Sequence, residues 1–121
     1  MDLWINNAGT NAYNYRTLID AAESDLVEIV DTNVLGVMLC CQAAIRLMRD
    51  QACGGHIWNL DGAGADGGAT PRFAAYGATK RSLAQLRKSL EAELSMQGIT
   101  NVGIHNLSPG DELGSNAWNQ K

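Results

Sequence analysis

His56-Ile57-Trp58-Asn59-Leu60 is a short apolar run that breaks into a glycine-rich loop at residues 61–70. A run of this length bounded by turn formers reads as a buried strand. The next segment has a helical period. Ala74, Ala78, Leu83, Leu86, Leu90 and Leu94 form an apolar stripe, Pro71 stands where a helix can open, and Gly98 stands where a C-cap belongs. A helix is therefore expected from Pro71 to about Gln97. Val102–Leu107 is then a further strand, closed by Ser108-Pro109-Gly110. Two short apolar strands joined by a long crossover helix imply parallel pairing.

The pattern extends toward the N-terminus. Residues 2–6 read as another buried strand, ending in the turn cluster Asn7-Ala8-Gly9-Thr10. Residues 11–22 are polar and irregular. Ser24 is placed as a helix N-cap, with Asp25 and Glu28 in the first turns and Leu26, Ile29 and Val30 at helical spacing. A second helical stretch runs from Val34 to Asp50 and stops at Gly54-Gly55, leaving Asp31-Thr32-Asn33 between the two. The expected class is α/β with a doubly wound parallel sheet over residues 1–110, followed by an irregular tail at 111–121. Three strands leave edges and faces open, so the chain is expected to be a piece of a larger domain. Sites in such sheets lie at the C-terminal strand ends. Those ends carry Asn7–Thr10, Asp61–Gly68 and Ser108–Gly110.

Composition removes several other classes. With 45% hydrophobic and 18% charged residues, the chain is globular rather than disordered. A formal net charge of -4 gives no nucleic-acid footprint. No apolar run reaches the roughly 18 to 20 residues needed to span a bilayer. Cys40, Cys41 and Cys53 are odd in number, with two adjacent, so reduced and partly buried thiols are expected rather than disulfides. His56 and His105 stand alone among apolar residues, and no metal site is expected. Met1 is followed at once by Leu3-Trp4-Ile5 without a basic leader, so no signal or transit peptide is read here.

The chemistry is concentrated in Tyr76-Gly77-Ala78-Thr79-Lys80. Residues four apart on a helix share one face. A free phenol has a pKa of about 10. A neighbouring ammonium favours the phenolate and lowers that value. Such a phenol can protonate a carbonyl oxygen or deprotonate an alcohol. Taken alone, the pair could equally lie on a solvated helix face.

Its setting carries more weight. Asn6-Asn7-Ala8-Gly9 follows the first strand, Asp31-Thr32-Asn33 separates two helical stretches, and Ser108-Pro109-Gly110 ends the last strand. In this order and at this spacing, with Tyr76 and Lys80, they resemble the short-chain dehydrogenase/reductase family. The resemblance implies a partial Rossmann-like fold and an NAD(P)-dependent oxidoreductase. It implies that Tyr76 is the general acid/base and that Lys80 lowers its pKa and holds the nicotinamide ribose. Asn33 would anchor a water on the proton relay. Asn7, Ala8 and Gly9 would line the adenosine side of NADPH or NADH, and Pro109 and Gly110 would cover the nicotinamide.

Within that family, His56–Gly64 and Thr70–Ser82 look like the chlorophyll b reductase subgroup, and His105–Gly110 fits as well. This implies reduction of the 7-formyl group of chlorophyll b or chlorophyllide b to a hydroxymethyl group, in the chloroplast. It leaves room for peripheral thylakoid association. It also implies a homo- or hetero-oligomer built on the Asn33–Asp50 and Tyr76–Gln97 helices. Two other readings stand beside it: a short-chain dehydrogenase acting on another carbonyl, and a non-catalytic fragment.

Three departures from the family pattern bear on the site. The N-terminal glycine motif that holds the pyrophosphate is absent. The family serine about 13 residues before the tyrosine is absent too; Ala63 stands at that spacing, or Gly62 if one residue is inserted. After Gly110, the sequence Asp111-Glu112-Leu113-Gly114 does not continue as the family does. Gly62-Ala63-Gly64-Ala65-Asp66-Gly67 fits a G-x-G-x-x-G pattern, but no acidic strand end follows, so the loop is read as a flexible wall of the substrate site. Trp4 and Trp58 are read as core. Tyr13, Tyr15 and Arg72 are read as surface residues, with adenine or carboxylate contact as the alternative.

Overall fold

A computed structural model of the 121-residue chain describes residues 2–6, 16–60, 62 and 64–107. Strand β1 spans Leu3–Asn6, β2 Gly55–Leu60 and β3 Val102–Leu107. They pair in parallel in the order β1-β2-β3. Ile5 lies opposite Trp58, and Trp58 opposite His105. The three expected strands are therefore present and parallel. Asn7, Ala8, Gly9, Tyr13, Tyr15, Asp61, Ala63, Pro109, Gly110 and the 111–121 tail lie outside the described residues.

The helices differ from expectation in three places. Helix α1 (Glu23–Val30) and helix α2 (Gly36–Met48) are joined without a break by a π-helical turn over Asp31–Leu35. The buried positions Ile29, Asn33, Val37, Cys41, Ala44 and Met48 explain the continuity. The first four are spaced by four residues, which would drift around an α-helix. A wider turn keeps them on one face, and such turns recur at functional sites. Ala22, not Ser24, caps α1, with no side-chain hydrogen bond. Glu23 and Asp25 instead place negative charge against the helix N-terminus. Helix α3 runs Ala74–Met96, beginning three residues after Pro71 because Pro71 and Arg72 are taken up in a turn. Its C-terminus is closed as expected. Gly98 has φ of +70°, Ile99 N–H donates to Leu94 O at 2.9 Å and Gly98 N–H to Ser95 O at 3.1 Å.

Joined together, Glu23–Met48 is 26 residues long and apolar enough, by length and composition, to cross a membrane. That corrects the expectation of no such run. Its buried face, with an asparagine at the centre, packs against α3 and the sheet. Val27, Val30, Leu35, Leu39 and Leu47 on the same segment are exposed.

The core lies between the helices and one face of the sheet. Val37, Cys41, Ala44, Met48, Ile57, Leu83, Leu94, Val102 and Ile104 form one cluster, with Trp4 packed against it. Trp58 is not part of it. It lies on the opposite face, stacked on His105 with ring centroids 4.4 Å apart. His56 and His105 are not isolated either, since Nδ1 of His56 is 3.0 Å from Nε2 of His105 across the β2–β3 ladder. Leu3 and Ile5 on that face are exposed. The described residues thus build one helical layer of the doubly wound sheet. The cysteines are free thiols, as expected, with Cys41 buried, Cys40 half-buried and Cys53 exposed. No group of three or more metal-ligating side chains occurs among the described residues.

Candidate active site

Tyr76 lies in the first turn of α3, and the turn before it fixes the entry of the chain. Phe73 N–H donates to Thr70 O at 2.8 Å and Thr70 Oγ1 donates to Phe73 O at 2.9 Å. Arg72 takes a left-handed φ of 67°, unusual for a residue with a side chain, and is exposed. The Phe73 ring meets Tyr76 edge-on at 6.2 Å. The phenol is therefore held by a short, well-bonded lead into the helix.

One turn later, Lys80 shares the face with Tyr76, as its spacing demands. Its side chain is only 5% exposed. The ammonium donates to Leu60 O at the C-terminal end of β2 at 3.2 Å and stands 5.6 Å from the centre of the Tyr76 ring. The Tyr76–Lys80 pair therefore lies at the C-terminal end of β2. The electrostatic expectation for Tyr76 fares differently. Burial pushes its phenol above the ordinary value. The group is a protonated donor at neutral pH.

Asn33 is fully buried at the centre of the π-helical turn. Its Nδ2 donates to Thr79 Oγ1 at 3.1 Å, and Thr79 Oγ1 donates to Tyr76 O at 2.6 Å. The structure thus joins three separate segments: Asn33, the Tyr76–Lys80 pair and the end of β2. Thr79 is a link the sequence reading did not single out, although it lies inside the Tyr76–Lys80 motif.

A second unread feature lies beneath the site. Asn6, Asn59 and Asn106 occupy one register position across the three strands. Asn6 Nδ2 donates to Asn59 Oδ1 at 2.7 Å, and Asn59 Nδ2 reaches Asn106 Oδ1 at 3.4 Å. Asn106 Nδ2 then donates to Leu83 O of α3 at 3.1 Å. Trp4 Nε1 donates to Asn6 Oδ1 at 2.6 Å. This row ties the strand ends to the helix bearing Tyr76. The available signal was an asparagine near the end of every strand.

The described part of the glycine loop is held against α3. Gly64, at φ of +93°, rests on Gly77, where a Cβ would come within 2.5 Å of the Gly77 Cα. Gly67 N–H donates to Gly64 O at 2.9 Å, and Arg81 Nη1 donates to Ala65 O at 2.9 Å. Asp66 accepts from Gly68 N–H at 2.8 Å and is exposed, so its carboxylate serves the turn. A groove of about 540 Å³ lies between α2 and α3, lined by Met38, Ile45, Leu86 and Leu90 among others; Tyr76, Lys80 and Asn33 do not line it.

Comparison with known proteins agrees with this fold. The family profile described as short chain dehydrogenase matches residues 1–119. The chloroplastic chlorophyll(ide) b reductase NOL of Arabidopsis thaliana is 62% identical over 110 residues, which is 91% of this chain and 32% of that protein. The crystal structure of serine dehydrogenase from Escherichia coli superposes with a TM-score of 0.77 at 28% identity, covering 89% of this chain and 47% of that one. The structure of ElxO with NADP bound superposes at 0.69 and 25% identity, covering 88% of this chain and 42% of that one. The chain thus spans about a third of the length of the curated relative it matches.

Proposed function

Because the chain belongs to the short-chain dehydrogenase family, we propose that it carries the proton-donating half of an NAD(P)H-dependent reductase whose substrate is the 7-formyl group of chlorophyll(ide) b. The carrying observation is the half-buried Tyr76 phenol on one helix face with the buried Lys80 ammonium, at the C-terminal end of β2. The choice of substrate is supported by the 62% identity to the Arabidopsis reductase.

The donor set fits a nicotinamide ribose. An ammonium and a phenol side by side are suited to the hydroxyls of a sugar diol. Lys80 and Tyr76 would hold that ribose. Asn7, Ala8, Gly9, Pro109 and Gly110 would line the rest of the NADPH or NADH. When bound, the reduced nicotinamide supplies a hydride, which becomes the new C–H bond at the formyl carbon. The C=O π pair passes to oxygen, and Tyr76 donates its proton to that oxygen, leaving a hydroxymethyl group. Lys80 stabilises the phenolate that remains, and Asn33 acts through Thr79 to hold the Tyr76 turn. The reading carries a chloroplast location with it. It also implies an oligomer built on the groove between α2 and α3, where Met38 is exposed.

The test uses a chimaera in which residues 2–110 of this chain replace the matching segment of the Arabidopsis relative, giving them a complete domain. Single turnover with NADPH and chlorophyllide b should yield the 7-hydroxymethyl product. Tyr76→Phe should lower the rate by a factor on the order of 100 or more, the usual scale for a general acid. A Tyr76→Phe rate within a few-fold of the parent would refute the assignment. Reduction of other carbonyls but not of chlorophyllide b would leave a short-chain dehydrogenase with a different substrate.

A further inference from the structure

The loop after β2 meets the catalytic phenol at one residue. A Cβ on Gly62 would fall well inside contact distance of the Tyr76 hydroxyl and 3.2 Å from the ring carbons Cε2 and Cζ. Gly62 O accepts from Ala65 N–H at 3.1 Å, which pins the loop backbone there. Gly64 packs on Gly77 two residues later. The phenol is thus closed in by backbone on the side where the family places a serine. We propose that Gly62 is a positioning residue. Its backbone sets where Tyr76 delivers its proton, and the close contact keeps any side-chain donor from the second side of the substrate oxygen. The site is thereby restricted to intrinsically reactive carbonyls, aldehydes rather than ketones.

The argument is steric first. A tyrosine side chain has two soft torsions, and this one leaves the first turn of a well-anchored helix. A methyl group at residue 62 would push the hydroxyl aside without unfolding the helix. Displacing a reacting group by about 1 Å costs on the order of 100-fold in rate. The substrate class follows from charge. As hydride arrives, negative charge grows on the carbonyl oxygen, and removing one donor to such an oxygen costs about 100- to 1,000-fold. With glycine at residue 62, the help available from that position comes from backbone N–H groups, which glycine lets approach closely. A formyl carbon, with one hydrogen substituent, accepts hydride far more readily than a ketone carbon does.

This inference rests on Tyr76 being the acid, and the experiment separates the two claims. In the chimaera, Gly62→Ala and Gly62→Ser should each lower single-turnover kcat on the order of 100-fold. NADPH affinity and Tm should stay near those of the parent. In a Tyr76→Phe background, Gly62→Ala should cost less than about threefold more, because no hydroxyl remains to be displaced; such non-additivity marks residues in contact. With the unaltered site, a formyl-substituted ring should be reduced at least about 100-fold faster in kcat/KM than its acetyl counterpart. Parent-like turnover by Gly62→Ala or Gly62→Ser would overturn the proposal. So would a full loss in the Tyr76→Phe background, or equal rates on the formyl and acetyl rings. If the Gly62 variants do not fold, the formyl–acetyl comparison still decides the substrate claim, and the unaltered chimaera supplies it. A Tyr76→Phe chimaera with parent-like rates would instead remove the general-acid reading itself.

Discussion

Asn59→Leu tests whether the asparagine row holds the site together. Asn59 is fully buried, and its Oδ1 accepts from Asn6 Nδ2 at 2.7 Å. Leucine of similar volume removes that acceptor and leaves a buried amide donor whose nearest remaining contact is the Cys41 sulfur at 3.5 Å. An orphaned buried donor costs about 1–3 kcal/mol. The Asn106 side adds little, because that bond is long at 3.4 Å and Asn106 is only half-buried. The expected cost is therefore about 2 kcal/mol, less than the stability of a typical domain but a large share of it. Urea unfolding of the chimaera should show a lower midpoint at unchanged slope. The double variant Asn6→Leu/Asn59→Leu removes donor and acceptor together. It should cost less than the sum of the two single variants, the remaining cost coming from the Trp4 Nε1 donor that loses its acceptor on Asn6. A single variant within about 0.5 kcal/mol of the parent, or a double variant costing the sum of the singles, would refute the account.

Three further outcomes follow from the same geometry. Burial raises the Tyr76 pKa, so the donating form persists through neutral pH; kcat/KM for reduction should stay flat there and fall only as pH rises past the ordinary phenol value of about 10. A decline that began near neutrality would contradict this. Alkylation followed by mass spectrometry should label the exposed Cys53 first, then Cys40, and last Cys41, whose thiol is buried and pushed up in pKa by that burial; early labelling of Cys41 in the folded protein would exclude the packing described. The 121-residue chain by itself, without the family's glycine motif, should bind NADPH weakly by calorimetry. A dissociation constant near 1 μM, which is about 8 kcal/mol, would show that the pyrophosphate cradle is dispensable.

The strands, the long C-terminal helix and the Tyr76–Lys80 face were legible because each depends on local period and spacing. Gly98 was legible as a cap for the same reason: a left-handed residue after a helical stripe favours glycine. What escaped depends on register or on packing between segments. Asn6, Asn59 and Asn106 become neighbours only once three strands are aligned. His56 and His105 looked isolated in the chain and meet only across β2 and β3. Asn33 looked like a break because polar residues interrupt the apolar run there. A π-helical turn instead keeps the helix intact and aims that asparagine at Thr79. Arg72 gave no sign of its left-handed backbone, so α3 was started too early.

The position of Lys80 bears on how the pair works. The sequence suggests an ammonium that lowers the resting pKa of the phenol. The structure has that ammonium donating to Leu60 O, with burial governing Tyr76 in the opposite direction. These facts fit one enzyme if the lysine acts when charge appears. A reductase needs a protonated donor before reaction, and a raised phenol pKa keeps it protonated. As the proton leaves, a half-buried phenolate forms one helical turn from a buried cation. Their attraction is felt in the transition state and not in the resting enzyme, and only such a difference accelerates chemistry. The reverse reaction would need the phenolate at the start, and burial opposes that form. The protonated phenol is thus the form that the reduction proposed above needs at its start.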